Sequence, residues 1–345
     1  MKMKLPKKHH GAETTIFAKM TALALQENAA NLSQGFPDDE IHPHLKKLLA
    51  EATANNYNQY APMNGLPMLV ETLIDFNQKR NISVSKDELT VVPGATYGIY
   101  TAIASIIEYG DEVIVLEPSY DSYVPAIETN GGKPVFVSLN EHFEADFEAI
   151  KKAITEKTKA IIINSPHNPT EKIWKKADFE QLYQMIKDTE IMVISDEVYD
   201  LITFDENKFY SICHHPELKN RSFAIFSFGK MFHITGWKVG YILAPEELTN
   251  AFRSVHQYLC FSVNTPAQYA LAKHLEHFEV NANALYLQQK RDFFLSEMKD
   301  LPFNFTEKTE GSYFQLAKYK QISDLGDLEF SIWLTKECKV ATIPL

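Results

Sequence analysis

Apolar positions along this chain recur at two spacings, and the change from one to the other marks out its plan. Leu45, Leu48, Leu49 and Ala52 share one helical face, and Leu66, Leu69, Val70 and Leu73 share another. A further helix is expected near Phe17–Leu25. From residue 88 onward, short apolar runs alternate with helix-spaced ones. Glu88–Val92, Glu112–Leu116, Pro134–Val137, Ala160–Ile163, Ile191–Ile194 and Phe223–Phe226 predict strands. Between them, Ala95–Ile107, Tyr123–Glu128, Phe143–Ile154 and the set Phe179, Leu182, Tyr183, Ile186 predict helices. Strands that alternate with helices imply an α/β fold, with a mostly parallel sheet covered by helices on both faces.

Past Pro245 the pattern becomes mainly helical, over Glu246–Leu259, Pro266–His277 and Asn281–Met298. Short strands near Phe303–Phe305 and Ser312–Leu316, and a helix near Leu328–Thr335, follow. A large domain over residues 35–284 is expected, with a smaller α+β domain built from residues 1–34 and 285–345. A length of 345 residues suits two domains, and 45% apolar residues suffice for a sizeable core.

In open sheets of this kind a ligand sits at the carboxyl ends of the strands. Five such ends carry polar clusters: Pro93-Gly94-Ala95-Thr96, Glu117-Pro118-Ser119-Tyr120, Asn164 to Pro169, Ser195 to Tyr199, and Ser227 to Lys230. The last of these places an amine, Lys230, at a strand mouth beside Ser227 and Gly229, with Lys238 close behind. A buried amine next to a phosphate site suits a Schiff base with pyridoxal phosphate. The amine must be neutral to attack a carbonyl, and both burial and the Lys238 charge push it that way. Taken alone, the same residues describe a solvated lysine in a polar turn. Gly94-Ala95-Thr96 opens a helix whose free N–H groups suit a phosphate, or is simply a capped helix start. Tyr120 can stack on an aromatic ring or pack at the rim of the core. Asn168 can donate to a ring oxygen or belong to an Asn-Pro turn. Asp196 ends an apolar strand, where a carboxylate needs a cationic partner such as a pyridinium nitrogen, or a local lysine. Tyr199 lies three residues on, within reach of a cofactor's phenolate oxygen.

A net charge of −11 argues against nucleic acid as the main partner. Cys213, Cys260 and Cys338 are widely spaced, which offers no metal framework and fits a reducing compartment. The basic start (Lys2, Lys4, Lys7, Lys8) precedes no apolar leader, and no run is long enough to span a bilayer. A cytoplasmic location with no metal and no membrane is therefore expected. His214-His215 reads as a solvated pair in a polar loop. The glycine fingerprint of dinucleotide binding, a Walker loop, H-E-x-x-H and G-x-S-x-G are all missing from the sequence.

The chain is similar to the fold-type I, pyridoxal-phosphate-dependent aminotransferases of class I/II, and in particular to their methionine and kynurenine aminotransferase branch. The resemblance rests on Ser33-Gln34-Gly35-Phe36-Pro37, Asn58-Gln59-Tyr60, Pro93 to Thr96, Glu117-Pro118-x-Tyr120, Asn168-Pro169-Thr170, Ser195 to Tyr199, Ser227-x-Gly229-Lys230 and Thr235 to Gly240. It implies an aspartate aminotransferase-like fold with a seven-stranded sheet. Lys230 would bond to the cofactor and shuttle the substrate proton, with Asp196 on the pyridinium nitrogen. Tyr199 and Asn168 would bind the ring hydroxyl, and Tyr120 would stack on the ring. Ala95, Thr96, Ser227 and Lys238 would hold the phosphate. Tyr60 would reach the site of a neighbouring subunit, so a homodimer with shared sites is expected. Gly35, Asn168 and Tyr120 would lie by the substrate. The reaction implied moves the amino group of an L-amino acid, methionine or aromatic and kynurenine-like, to a 2-oxo acid in ping-pong fashion.

Two substitutions depart from the pattern: Lys238 stands where arginine is usual, and Met231 where a small polar residue is common. Relatives also continue past an expected Ile343-Pro344-Leu345 strand to an arginine that clamps the substrate carboxylate. Arg80, Arg221, Arg253 and Arg291 match no such motif. Without that clamp, cofactor binding is expected to survive and turnover to fall. A carbon–sulfur β-lyase and a cofactor-binding form with little catalysis are the alternatives left open.

Overall fold

A computed structural model describes residues 8, 14–33, 35, 39–305 and 308–345. Twelve helices and nine strands occur among them. The helices are α1 Ile16–Glu27, α2 Pro43–Ala54, α3 Pro67–Lys79, α4 Ala95–Ile106, α5 Tyr123–Thr129, α6 Phe147–Ala153, α7 Lys176–Ile186, α8 Phe228–Met231, α9 Glu246–Leu259, α10 Thr265–Leu275, α11 Ala282–Met298 and α12 Asp327–Glu337. The strands are β1 Ala30–Asn31, β2 Leu89–Val92, β3 Glu112–Glu117, β4 Lys133–Ser138, β5 Thr158–Asn164, β6 Met192–Asp196, β7 Ser222–Ser227, β8 Gly240–Leu243 and β9 Val340–Ala341.

Seven strands form one sheet in the order β2-β8-β7-β6-β5-β3-β4. Pairing is parallel except at β8, which runs against both β7 and β2. The period of two along each strand sends alternate side chains to opposite faces. In β3, Ile114 and Leu116 join one core, with Leu69, Phe179 and Phe226. Val113 and Val115 join the other, with Ile99, Ile225 and Phe252. Both faces are covered, which is why the central strands read as unbroken apolar runs. β1 and β9 make a second, two-stranded parallel sheet that pairs Ala30 with Val340, and α1 and α12 pack beside it.

Several local expectations are corrected. The expected helix over Phe143–Ile154 begins only at Phe147, because Asp146 caps it by accepting from the Ala149 N–H at 2.9 Å. The strand expected over Ser312–Leu316 does not form: Gly311 makes one bridge to Thr203, and Ser312 turns to φ 65°. The strand expected over Phe303–Phe305 reduces to one bridge between Asn304 and Lys318. Ile343–Leu345 is not a strand, since the ladder ends at Ala341 and Pro344 has no N–H to extend it. The residues after Ser227, which taken alone describe a polar turn, coil into α8. His214 and His215 are not solvated: His215 is buried and its ring contacts Glu180, while the His214 ring meets the Arg80 carbonyl.

Candidate active site

The carboxyl ends of β2, β3, β5, β6 and β7 open on a cleft of about 420 Å³. Among the predicted residues, Gly35, Ala95, Thr96, Tyr120, Asn168, Asp196, Tyr199, Ser227, Lys230 and Lys238 all line it. Tyr60 does not. Its side chain is 82% exposed on this chain's surface, edge-on to Phe261. Gln34, Phe36 and Pro37 of the first motif lie outside the described residues.

β6 delivers Asp196 into the cleft and, by alternation, sends Glu197 the other way. Glu197 accepts from the Ser195 hydroxyl at 2.8 Å and the Ile212 N–H at 2.9 Å. Asp196 accepts from the Tyr123 hydroxyl at 2.6 Å. Burial pushes the Asp196 carboxyl up to about 6, against the pull of Tyr123, the Val198 N–H and Lys230. Asn164 at the end of β5 locks the next loop in place: its amide donates to the Asp196 carbonyl at 2.8 Å, and its oxygen accepts from the Asn168 N–H at 2.7 Å.

Lys230 follows β7 on α8. Its Nζ donates to the Gly35 carbonyl at 2.7 Å and to the Tyr313 hydroxyl at 2.8 Å. Burial pulls the amine down to about 8; Asp196 opposes this and Lys238 reinforces it. Gly229 allows the turn, since a Cβ there would stand 3.0 Å from the Thr235 Cα.

The N-terminus of α4 forms the opposite wall. Gly94 precedes it at φ 89°, a conformation side chains resist. A Cβ on Gly94 would lie 3.2 Å from both Cε and Nζ of Lys238, so the amine reaches across the bare glycine to the helix start. Thr96 Oγ1 and the Tyr120 hydroxyl sit 3.3 Å apart. The free N–H groups of α4, a hydroxyl and an ammonium thus converge where an anion would be stabilised.

Sequence reasoning missed Tyr123 and Tyr313 as contributors and gave Asn164 no role beyond its place in a strand-end cluster; it also missed Phe17, Thr21 and Phe314 in the lining. Tyr123 opens α5 three residues after Tyr120, and its only sequence signal was that of a helix residue. Tyr313 carried no local signal, since it lies 83 residues from Lys230. Among the described residues no three side chains are placed to hold a metal ion, and no helix is long and apolar enough to cross a membrane.

The family model Aminotransferase class I and II matches residues 27–345. The chain is 45% identical to methionine aminotransferase of Escherichia coli (strain K12), over 96% of this chain and 87% of that one. It is 33% identical to the kynurenine--oxoglutarate transaminase of Dictyostelium discoideum, over 96% of this chain and 85% of the other. Among solved structures it superimposes on YbdL from Escherichia coli, identified as having a methionine aminotransferase function, with a TM-score of 0.96 at 43% identity. That match covers 99% of this chain and 91% of the other. With the aspartate aminotransferase-like α/β architecture and the motifs it arranges round one cleft, this chain belongs to the class I and II aminotransferases.

Proposed function

We propose that the cleft holds pyridoxal 5'-phosphate and that the chain uses it to move the amino group of L-methionine, or of an aromatic or kynurenine-like amino acid, to a 2-oxo acid. The observation that carries this reading is one pair of groups with opposed shifts: Asp196 pushed up to about 6 and Lys230 pulled down to about 8, lining one cleft. A buried carboxylate at that position calls for a cation. A lysine near neutrality can attack a carbonyl. The Gly94 cradle, open to Lys238 and the start of α4, fits a phosphate.

Bound there, pyridoxal phosphate supplies a carbonyl that condenses with amines and a protonated ring that accepts the electron pair left at Cα. Ala95, Thr96, Ser227 and Lys238 would hold the phosphate, and Tyr120 would lie against the ring. Asp196, fixed by Tyr123, keeps the proton on the ring nitrogen. Tyr199 and Asn168 donate to the ring oxygen. Lys230 Nζ is the attachment point and carries the proton to and from the substrate Cα. Gly35, Asn168 and Tyr120 border the substrate.

The same reading assigns residues 35–284 to the cofactor domain and residues 1–34 and 285–345 to the smaller one, a division that the β1–β9 pairing supports. It places Tyr60 at the site of a second copy. Tyr60, Tyr258, Leu259 and Phe261 are all exposed, and the Tyr60 and Phe261 rings meet at 5.9 Å, which supports a homodimer. The cytoplasm is the expected location.

The test is the visible absorption of the purified chain with pyridoxal phosphate, before and after excess L-methionine. A band of lysine-bound cofactor that is replaced by that of the aminated cofactor is the expected result. A band that methionine leaves unchanged overturns the donor assignment. No band at all overturns the role of Lys230.

A further inference from the structure

Lys230 Nζ has two partners, and both come from parts of the chain remote from it in sequence. Gly35 is 195 residues away and Tyr313 is 83. Tyr313 also donates its hydroxyl proton to the Gly35 carbonyl, so the three groups close a triangle. That donation fixes the direction of the other bond: with its proton committed to Gly35, the Tyr313 oxygen can only accept from Nζ.

A neutral lysine amine has two N–H bonds and one lone pair. Its two hydrogens match the two acceptors, the Gly35 carbonyl and the Tyr313 oxygen, and the lone pair is left free. The Tyr313 ring is itself held from several sides. It stands edge-on to Tyr199 at 5.3 Å and packs on Phe314 at 5.1 Å. The Ser312 N–H donates to the Ile202 carbonyl at 2.9 Å, which ties the segment to the stretch just after Tyr199. Lys230 Nζ lies 5.5 Å from the Tyr313 ring centre and 5.6 Å from that of Tyr199.

We infer that Tyr313 is a positioning residue: with the Gly35 carbonyl it holds the Lys230 amine by both its hydrogens, so that the lone pair is presented whenever the lysine is not bonded to cofactor. The inference rests on the cofactor assignment proposed above. It concerns the free lysine only, and therefore the capture of pyridoxal phosphate and the moments when Lys230 acts as a base. Tyr313 is not among the residues assigned above to the cofactor's ring and phosphate.

Tyr313→Phe keeps the ring packing and removes only the hydroxyl. Two ligands separate its effects. Pyridoxamine phosphate cannot bond to lysine, so its affinity for the variant should stay within about twofold of the parent chain. At a pH above the midpoint, where the amine is neutral in both proteins, capture of pyridoxal phosphate, followed by visible absorption, should slow by about tenfold, equivalent to ~1.4 kcal/mol. The pH midpoint of capture should also fall, because an acceptor that favours the charged amine has been removed. Equal losses for both ligands would mean that Tyr313 only supports the fold, and would overturn the inference. So would a capture rate and midpoint identical to those of the parent. Failure of the parent chain itself to develop the band strikes at the cofactor assignment instead, which keeps the two failures distinguishable.

Discussion

Asp196→Asn should make the cofactor-free protein more stable at neutral pH, although it removes a residue central to the site. The carboxyl is 4% exposed and is held at about 6, against an ordinary value of 3.8. Two units at 1.36 kcal/mol each amount to ~3 kcal/mol. The sign follows from proton binding. Between pH 3.8 and about 6 the folded chain keeps a proton that the unfolded chain releases. The contribution of Asp196 is therefore full below pH 3.8 and is lost as pH rises through about 6. An asparagine stays neutral throughout, and its oxygen can still accept from Tyr123. It gives up the weak 3.4 Å acceptance from the Val198 N–H, a cost of ~1 kcal/mol that does not vary with pH. Urea unfolding of the cofactor-free parent and variant at several pH values is the assay. The variant should gain ~3 kcal/mol on the parent between pH 4 and pH 8. Glu171 and Glu197, raised by burial to about 8 and about 7, titrate in both proteins and cancel in the difference. A stability difference that does not change with pH would refute the claim that Asp196 is ionised at a cost in the cofactor-free protein.

Two further outcomes follow from the same geometry. Lys238→Ala should weaken binding of pyridoxal phosphate by about 10–100-fold through loss of a charge-assisted contact, leave the much weaker binding of unphosphorylated pyridoxal unchanged, and be rescued in part by Lys238→Arg; equal loss for both ligands in a titration would contradict a phosphate contact. Arg80→Ala should destabilise the fold by ~3–5 kcal/mol in urea unfolding, because it strands Asp200, whose side chain is 1% exposed and lies 2.7 Å from the guanidinium; a loss below ~1 kcal/mol would mean that the pair contributes little.

Much of the site was legible because each strand of a parallel sheet announces its own end. An apolar run followed by small and polar residues marks a place where the chain leaves the core for the ligand edge, and Gly94, Asn164, Asp196 and Ser227 were all found there. β8 was harder. It is antiparallel and only four residues long, and it follows the Thr235–Gly240 motif so closely that its Gly240–Leu243 run reads as the tail of that motif. Tyr313 was illegible for a different reason. Its partners lie 83 and 278 residues away, and the segment that carries it is held by single bridges with no hydrophobic period to read. The expected strands at 303–305 and 312–316 failed on the same ground: alternation predicts a strand only where a neighbouring strand exists to pair with it.

The reversal of β8 has a topological consequence. Two parallel neighbours need a crossover of a dozen or more residues that returns the chain to the far edge of the sheet. Here Ser227 pairs directly with Gly240, so the chain leaves and re-enters the sheet at one edge. Lys230 and Lys238, only eight positions apart, ride on this closed excursion, pinned at both ends by the ladder. Two amines, one of which lowers the proton affinity of the other, are thus held at a high effective concentration by the backbone itself. Their mutual approach is settled when the sheet forms, before any ligand arrives.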